Sequence, residues 1–369
     1  MSNKIIYISP YLDTDTSFGG SVVSWSNLEK LKLSSNIISI AISRKSNNRC
    51  DYSVHASKNK ITTAFNNLLG FSGRLSFNTI KEILIIIDKE KPALIYLDSS
   101  YLGKLAKLIN NKYPDVKIIT FFHNIEYDFE INRLRKNQLQ YIPSFWSAWL
   151  NERSAIKYSN KLFMLHKSDS DRARKLYKRS ADFLLPVTLP SHIGEEYNNI
   201  SFSELTPRNI GFFGTAFYAN VEAAKYISKI LSPLLPEYNF IIAGNGFEKY
   251  TSDLSNENVS ILGTVNSITE FYNSVDIIIA PVFSGGGMKV KIAEALSYNK
   301  LTIGSPFALI GYENVIDNKN LFSADTTEDF INLIKNVAYL DNPRKLFIDY
   351  FSNESVSKQM IDEIEKELI

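Results

Sequence analysis

The chain has 369 residues, 44% of them hydrophobic, which is enough for two separate cores. Its net charge of +2 hides a split: residues 1–185 hold 28 Lys and Arg against 16 Asp and Glu, and residues 186–369 hold 13 against 23. A single cysteine, Cys50, excludes an internal disulfide framework and fits a reducing compartment. No run reaches the ~18 apolar residues of a membrane span, and the apolar run at the N-terminus is too short for a secretory signal, so the expectation is a soluble cytoplasmic protein.

The first half alternates strands and helices. Lys4–Pro10 reads as a short apolar strand, and Asp13–Gly20 as a polar loop ending on Gly19 and Gly20. Ser21–Leu33 reads as a helix with Val22, Trp25, Leu28 and Leu31 spaced by three, capped by Ser21 or Gly20. Asn36–Ser43 follows as a strand. Residues 44–75, basic and polar, read as a long excursion with a helix near Thr62–Leu69. Ser76–Lys89 and Tyr101–Lys112 read as helices on either side of an Ala93–Leu97 strand. Val116–Phe122 reads as a strand running into His123 and Asn124. A helical stretch holds Trp146 and Trp149, whose spacing favours the core over stacking on a sugar or docking on a membrane, and Lys161–Leu165 and Phe183–Leu185 are further strands. Pro186–Pro207, with three prolines and no periodicity, reads as a linker.

The second half repeats the rhythm. Strands are expected at Asn209–Phe213, Asn239–Ala243, Val259–Leu262, Asp276–Ala280 and Leu301–Ile303. Helices are expected at Val221–Leu231, Ile268–Ser274, Met288–Tyr298, Thr327–Leu340 and Ser355–Leu368. Such βαβα alternation predicts parallel sheets, and two of them make a cleft with ligands beyond the carboxyl ends of the strands.

Five loops fall at those strand ends. Gly19-Gly20-Ser21 opens a helix, where free N–H groups suit a phosphate or glycine merely supplies φ freedom. His123-Asn124-Ile125-Glu126 offers a histidine that can bond a substrate or move a proton. Gly214 lets backbone approach a ligand, and Asn220 reads as the cap of the next helix. Gly244 and Gly246 suit a tight turn or a pocket wall equally. The richest loop is Ser284–Leu296, where Gly285, Gly286 and Gly287 precede Lys289, Lys291 and Glu294. Lys291 and Glu294, three apart, share a helix face, and Gly287 lies above Lys291 on it. Donors for phosphate and an acceptor for sugar hydroxyls meet at one helix start, which fits the diphosphate and ribose of a nucleotide-sugar. A tight turn with solvated lysines is the alternative.

These segments together resemble a GT-B glycosyltransferase of glycosyltransferase family 4 (group 1), over nearly the whole length. Gly19-Gly20 resembles the family's N-terminal glycine loop, His123-Asn124-Ile125-Glu126 its HN-x-E segment, and Gly214 with Asn220 the start of its donor domain. Asn258 through Glu294-Ala295-Leu296 resembles its donor-site core. The resemblance implies an α/β protein of two Rossmann-like parallel-sheet domains facing across a cleft. Residues 1–185 would be the acceptor domain, 186–207 the linker and 208–350 the donor domain, with 351–369 a helix packing back on the first domain. Glu294 would bind ribose, and Lys289 or Lys291 would neutralise the diphosphate with the amides of Gly285–Gly287. Gly214, Asn220 and Gly244 would complete the donor pocket, Gly19 and Gly20 would close over the donor, and His123 would touch the transferred sugar or the acceptor. The implied reaction is sugar transfer with retention, with no metal or other cofactor. Its implied partners are a nucleotide-sugar donor and a glycan or lipid-diphosphate acceptor, in bacterial surface polysaccharide synthesis. The basic first half adds the expectation of peripheral contact with anionic membrane at its inner face; nucleic acid is not expected, because the basic residues form no recognised motif. One departure stands out. Many members carry a second glutamate eight positions before the ribose-binding one, where this chain has Gly286. That gap keeps two other readings open, a non-catalytic binding subunit and a nucleotide-sugar epimerase. A dehydrogenase is disfavoured because no Gly-x-Gly-x-x-Gly opens the first helix.

Overall fold

The computed structural model describes residues 4–12, 19–33, 36–44, 47–56, 60–72, 74–135, 139–197, 208–316, 319–336 and 342–368. Most of the expected Asp13–Gly20 loop and the second half of the expected linker lie outside them. The chain forms two compact units, Met1–Pro186 with Val356–Ile369, and Val187–Ser355.

The first unit is built on β1 (Ile5–Ser9), β2 (Ile37–Ser43), β3 (Tyr52–His55), β4 (Leu94–Leu97), β5 (Lys117–Phe122), β6 (Lys161–Met164) and β7 (Phe183–Leu184). They form one parallel sheet in the order β3-β2-β1-β4-β5-β6-β7. β1 and β4 are buried at every position, as a covered parallel strand requires. Ile8, Ile40, Ile95 and Leu97 pack with Ile83 and Ile87 of the Phe77–Glu90 helix and Leu105 and Ile109 of the Gly103–Lys112 helix. Ser76 caps the former by accepting from the Thr79 amide at 3.2 Å. The 44–75 excursion contains the expected helix, at Lys60–Leu68, and also the unforeseen strand β3. The Gly19–Lys32 helix starts before Ser21, so Ser21 is a buried residue within it and not its cap. From Val356 on, the Asn353–Glu365 helix belongs to this unit: Glu363 takes the Lys161 ammonium at 2.7 Å, and Met360 and Ile364 are buried.

The second unit holds β8 (Asn209–Phe213), β9 (Asn239–Ala243), β10 (Val259–Gly263), β11 (Ile277–Ala280), β12 (Leu301–Gly304) and β13 (Leu321–Ser323). This sheet is also parallel, in the order β10-β9-β8-β11-β12-β13. Asp276 accepts from the Arg208 and Asn209 amides at 2.9 Å each and so ties the start of β11 to that of β8. Residues 187–197 pack within this unit: Leu189 bridges to Ser352, and the Arg344 guanidinium donates to the Ser191 and Ser297 carbonyls at 2.7 Å each. A Pro343–Tyr350 helix and β13 were not foreseen.

Each sheet reverses its strand order once, between β1 and β4 and between β8 and β11. The crevice beyond the strand ends at such a reversal is where open α/β sheets bind ligands. Among the described residues no helix is long and apolar enough to cross a membrane.

Candidate functional site

At the β8/β11 reversal three loops come together. Gly214 follows β8, and its N–H donates to the Ala243 carbonyl at the end of β9 at 3.0 Å. Gly244 follows β9 and donates to the Gly263 carbonyl of β10 at 2.7 Å. The backbones are so close that a Cβ on Gly244 would lie 2.0 Å from the Gly214 carbonyl oxygen. A Cβ on Gly214 would lie 2.8 Å from both the Asn220 side-chain nitrogen and the Lys291 ammonium. Space thus requires glycine at position 244, where backbone is in the way, whereas at position 214 a side chain would displace the ends of Asn220 and Lys291.

Asn220 is not a cap. The helix begins at Tyr218 with Phe217 at its N-cap, which puts Asn220 inside its first turn. Its Nδ2 donates to the Thr215 carbonyl at 2.7 Å, and its Oδ1 accepts from Lys291 Nζ at 2.8 Å. Asn220 therefore braces the Gly214 loop and aims the lysine.

Lys291 and Glu294 lie in the Val290–Ser297 helix, both half-buried. The Lys291 ammonium sits 4.1 Å from the centre of the Phe212 ring. Burial, with Lys289 nearby, lowers its pKa to about 7, against the pull of Glu294. Burial raises Glu294 to about 7, opposed by the Tyr272 hydroxyl and by Lys291. Tyr272 donates to Glu294 Oε2 at 3.0 Å and stacks on Tyr298 at 4.4 Å. Oε1 of Glu294 has no hydrogen-bond partner among the described residues.

The glycine loop itself is not helical. Gly285 and Gly287 have φ of +116° and +61°, whereas Gly286 lies outside the left-handed region. Gly287 is therefore three residues before the helix and not on its face above Lys291. Lys289 differs from Lys291: its ammonium donates to the Gly286 and Gly287 carbonyls at 3.0 and 2.6 Å and lies over Phe307. It holds the loop in shape. Tyr312, unnoticed in the sequence, fixes the helix start by donating to the Lys289 carbonyl at 2.9 Å and accepting from the Ala293 amide at 3.2 Å.

At the β1/β4 reversal of the first unit the arrangement is different. Asp98, just past β4, is 0% exposed. It accepts from Ser9 Oγ at 2.9 Å, Asn27 Nδ2 at 3.2 Å and the Ser24 hydroxyl. His123, at the end of β5, places Nε2 3.0 Å from the Asp98 carbonyl and 3.3 Å from its carboxylate. Both partners are acceptors, so Nε2 carries a proton. Tyr11 and Phe121 meet the imidazole edge-on at 5.0 and 4.8 Å. Lys30, from the same helix as Ser24 and Asn27, is fully buried, and desolvation lowers its pKa to about 7 while Asp98 pulls it upward. Asn124 donates to Glu126 at 3.1 Å, and Glu152 receives the Glu126 and Tyr127 amides at 2.6 and 3.2 Å, capping the Glu126–Arg135 helix from outside. Gly19 and Gly20 open the Gly19–Lys32 helix. Asp98 was missed in the sequence; an aspartate directly after an apolar strand was the available signal. Among the described residues no group of three His, Cys, Asp or Glu side chains could hold a metal ion.

Two parallel sheets, each with a polar cluster where its strand order reverses, define the GT-B architecture of two Rossmann-like domains. Residues 207–338, most of the second unit, match the family described as "Glycosyl transferases group 1". No curated protein sequence matches the chain. Solved structures share its fold. Sucrose-phosphate synthase from Thermosynechococcus elongatus has a TM-score of 0.72 at 11% identity, over 99% of this chain and 98% of that one. A glycosyltransferase from Rickettsia africae has 0.66 at 16%, over 100% and 99%. Anabaena HepE, in complex with UDP and glucose, has 0.65 at 11%, over 99% and 100%. The group 1 resemblance therefore holds, and it supports sugar transfer.

Proposed function

We propose that the chain is a retaining glycosyltransferase that moves a sugar from a nucleotide-sugar to a glycan or lipid-diphosphate acceptor, in bacterial surface polysaccharide assembly. It would work without a metal, at the inner face of the membrane. The observation that carries this reading is the grouping of Gly214, Asn220, Lys291 and Glu294 at the β8/β11 reversal, inside the family-matched region. The complexes of Anabaena HepE with UDP and with UDP-glucose support a nucleotide-sugar as the donor.

Glu294 has one oxygen held by Tyr272 and the other open to accept from ribose hydroxyls. Lys291 is the cation for the diphosphate, with the amides of Gly285–Gly287 and the Gly244 loop beside it. An arriving diphosphate adds negative charge and favours protonated Lys291, while hydroxyl donors favour ionised Glu294. The lysine then stabilises the charge that grows on the diphosphate as the sugar departs. The acceptor attacks on the face the diphosphate leaves, its proton passing to a departing phosphate oxygen, so retention needs no side-chain nucleophile.

A second reading is a binding subunit without catalysis. It rests on Gly286, which stands where many relatives carry a glutamate although its backbone does not require glycine. A panel of nucleotide-sugars tests both. Nucleotide release with a product of unchanged anomeric configuration supports the transferase, binding without turnover the subunit, and a sugar of altered stereochemistry the epimerase. In the same assay Glu294→Ala should weaken nucleotide binding by about 1.5–3 kcal/mol, roughly ten- to a hundredfold; unchanged binding would refute the ribose role.

A further inference from the structure

The first unit carries an apolar face that its own core does not use. In the Lys60–Leu68 helix and the turn after it, Ile61, Phe65, Leu68 and Leu69 follow i, i+4, i+7, i+8 and share one side. That side faces solvent: Ile61 is 84% exposed and Phe65 61%. A surface helix of a globular protein ordinarily turns such a stripe inward. The face continues onto the Ile142–Tyr158 helix, where Ile142 and Trp146 are exposed and Trp149 is half-buried, contrary to the expectation that both tryptophans are core.

Hydrogen bonds join these segments into one platform. The Asn151 side chain donates to the Gly70 carbonyl at 3.0 Å and accepts from the Lys104 amide at 2.9 Å. Ser147 donates to the Phe71 carbonyl at 2.6 Å. The Lys104 ammonium donates to the Leu69 carbonyl at 2.7 Å and lies 3.7 Å from the Phe71 ring centre. Trp146 and Trp149 are in ring contact at 5.4 Å, and the Arg153 guanidinium lies 4.7 Å from Trp149.

The charge on this platform has one sign. The Lys60–Leu68 and Gly103–Lys112 helices contain no Asp or Glu. The Ile142–Tyr158 helix contains only Glu152, which is buried and occupied with the amides of Glu126 and Tyr127. Lys107, Arg153 and Lys157 are exposed beside the apolar stripe. Exposed aliphatic and aromatic side chains, a tryptophan pair and a rim of cations without anions are the composition that seats a protein at a lipid–water boundary. A second copy of the chain would bring the same positive rim against itself.

We propose that this platform docks on an anionic phospholipid bilayer, with Ile61, Phe65, Leu68 and Trp146 entering the headgroup boundary and Lys107, Arg153 and Lys157 meeting lipid phosphates. The proposal deepens the functional reading by naming the surface that reaches a lipid-linked acceptor, and it rests on that reading only for the acceptor's identity. The full chain should co-sediment with vesicles of phosphatidylcholine and phosphatidylglycerol, more weakly in high salt, and far less with phosphatidylcholine alone. Tryptophan emission should shift to the blue on binding. Ile61→Ser with Phe65→Ser should weaken partitioning by about tenfold or more, and Lys107→Ser with Arg153→Ser should remove the preference for the anionic lipid. Both variants should keep nucleotide binding, so a failure here is separable from a failure of the transferase reading. Vesicle binding equal in the Ile61/Phe65 variant and its parent would overturn the proposal. So would concentration-dependent dimerisation, without vesicle binding, that this variant abolishes.

Discussion

The two strand-order reversals occupy the same place in their sheets and are furnished in opposite ways. Beyond β8 and β11 the chain is stripped of side chains at Gly214, Gly244, Gly285 and Gly287, and one lysine and one glutamate project from a single helix. Beyond β1 and β4 the space is filled by Asp98 and the four groups that satisfy it, Ser9, Ser24, Asn27 and His123. A buried carboxylate has to recruit donors from its own chain. Backbone without side chains leaves room for a ligand to come close. On the proposed reading one reversal is a socket and the other a plug.

The largest way to break this contrast is at Lys291. Lys291→Ala should lower kcat/KM for the donor by roughly a hundred- to a thousandfold, the loss seen when one positioned donor to a developing anion is removed; steady-state nucleotide release measures it. If Asp98 is a plug, Asp98→Asn should leave nucleotide binding in the second unit unchanged and cost about 1.5–3 kcal/mol of stability, because bonds to a charged acceptor are lost; urea unfolding measures this. An effect of Asp98→Asn on nucleotide affinity with no loss of stability would reverse the assignment.

The smallest effect is the most specific. The proposed roles require Glu294 ionised and Lys291 protonated, and burial brings both to about 7. Activity should therefore rise with pH as Glu294 loses its proton and fall as Lys291 loses its own, giving a narrow bell near neutrality. The Tyr272 hydroxyl lowers the Glu294 pKa. Tyr272→Phe should move the acid limb to higher pH, leave the alkaline limb in place and cost about 1 kcal/mol of donor affinity.

Much of the frame was legible in the sequence. The strands at Asn209–Phe213 and Asn239–Ala243 match their expected ends, because an apolar run bounded by Gly or Pro is an unambiguous local signal. The glycine loops were legible for the same reason. The failures are tertiary. Asn220 read as a cap because asparagine before an apolar run usually is one; its real partner, Lys291, is 71 residues away. The stripe of Val22, Trp25, Leu28 and Leu31 suggested a helix with one buried side, yet Ser24, Asn27 and Lys30 are buried as well. Nothing local announces that, since Asp98, to which Ser24 and Asn27 donate, lies just past β4. β3 and β13 have four and three residues, too few for a period to register. Trp146 and Trp149 read as core because helical spacing gives the face and not what covers it.

The first unit is written in two separated stretches of the chain, and the second lies wholly between them. A ribosome adding about 5–20 residues per second finishes residue 186 roughly ten to thirty seconds before the stretch beginning at Val356. Throughout that interval Lys161 lacks the carboxylate of Glu363, and the apolar surface that receives Met360 and Ile364 stays open. The first unit, begun before the second, is thus completed after it, because its Val356–Ile369 stretch is synthesised only once the intervening unit has been made.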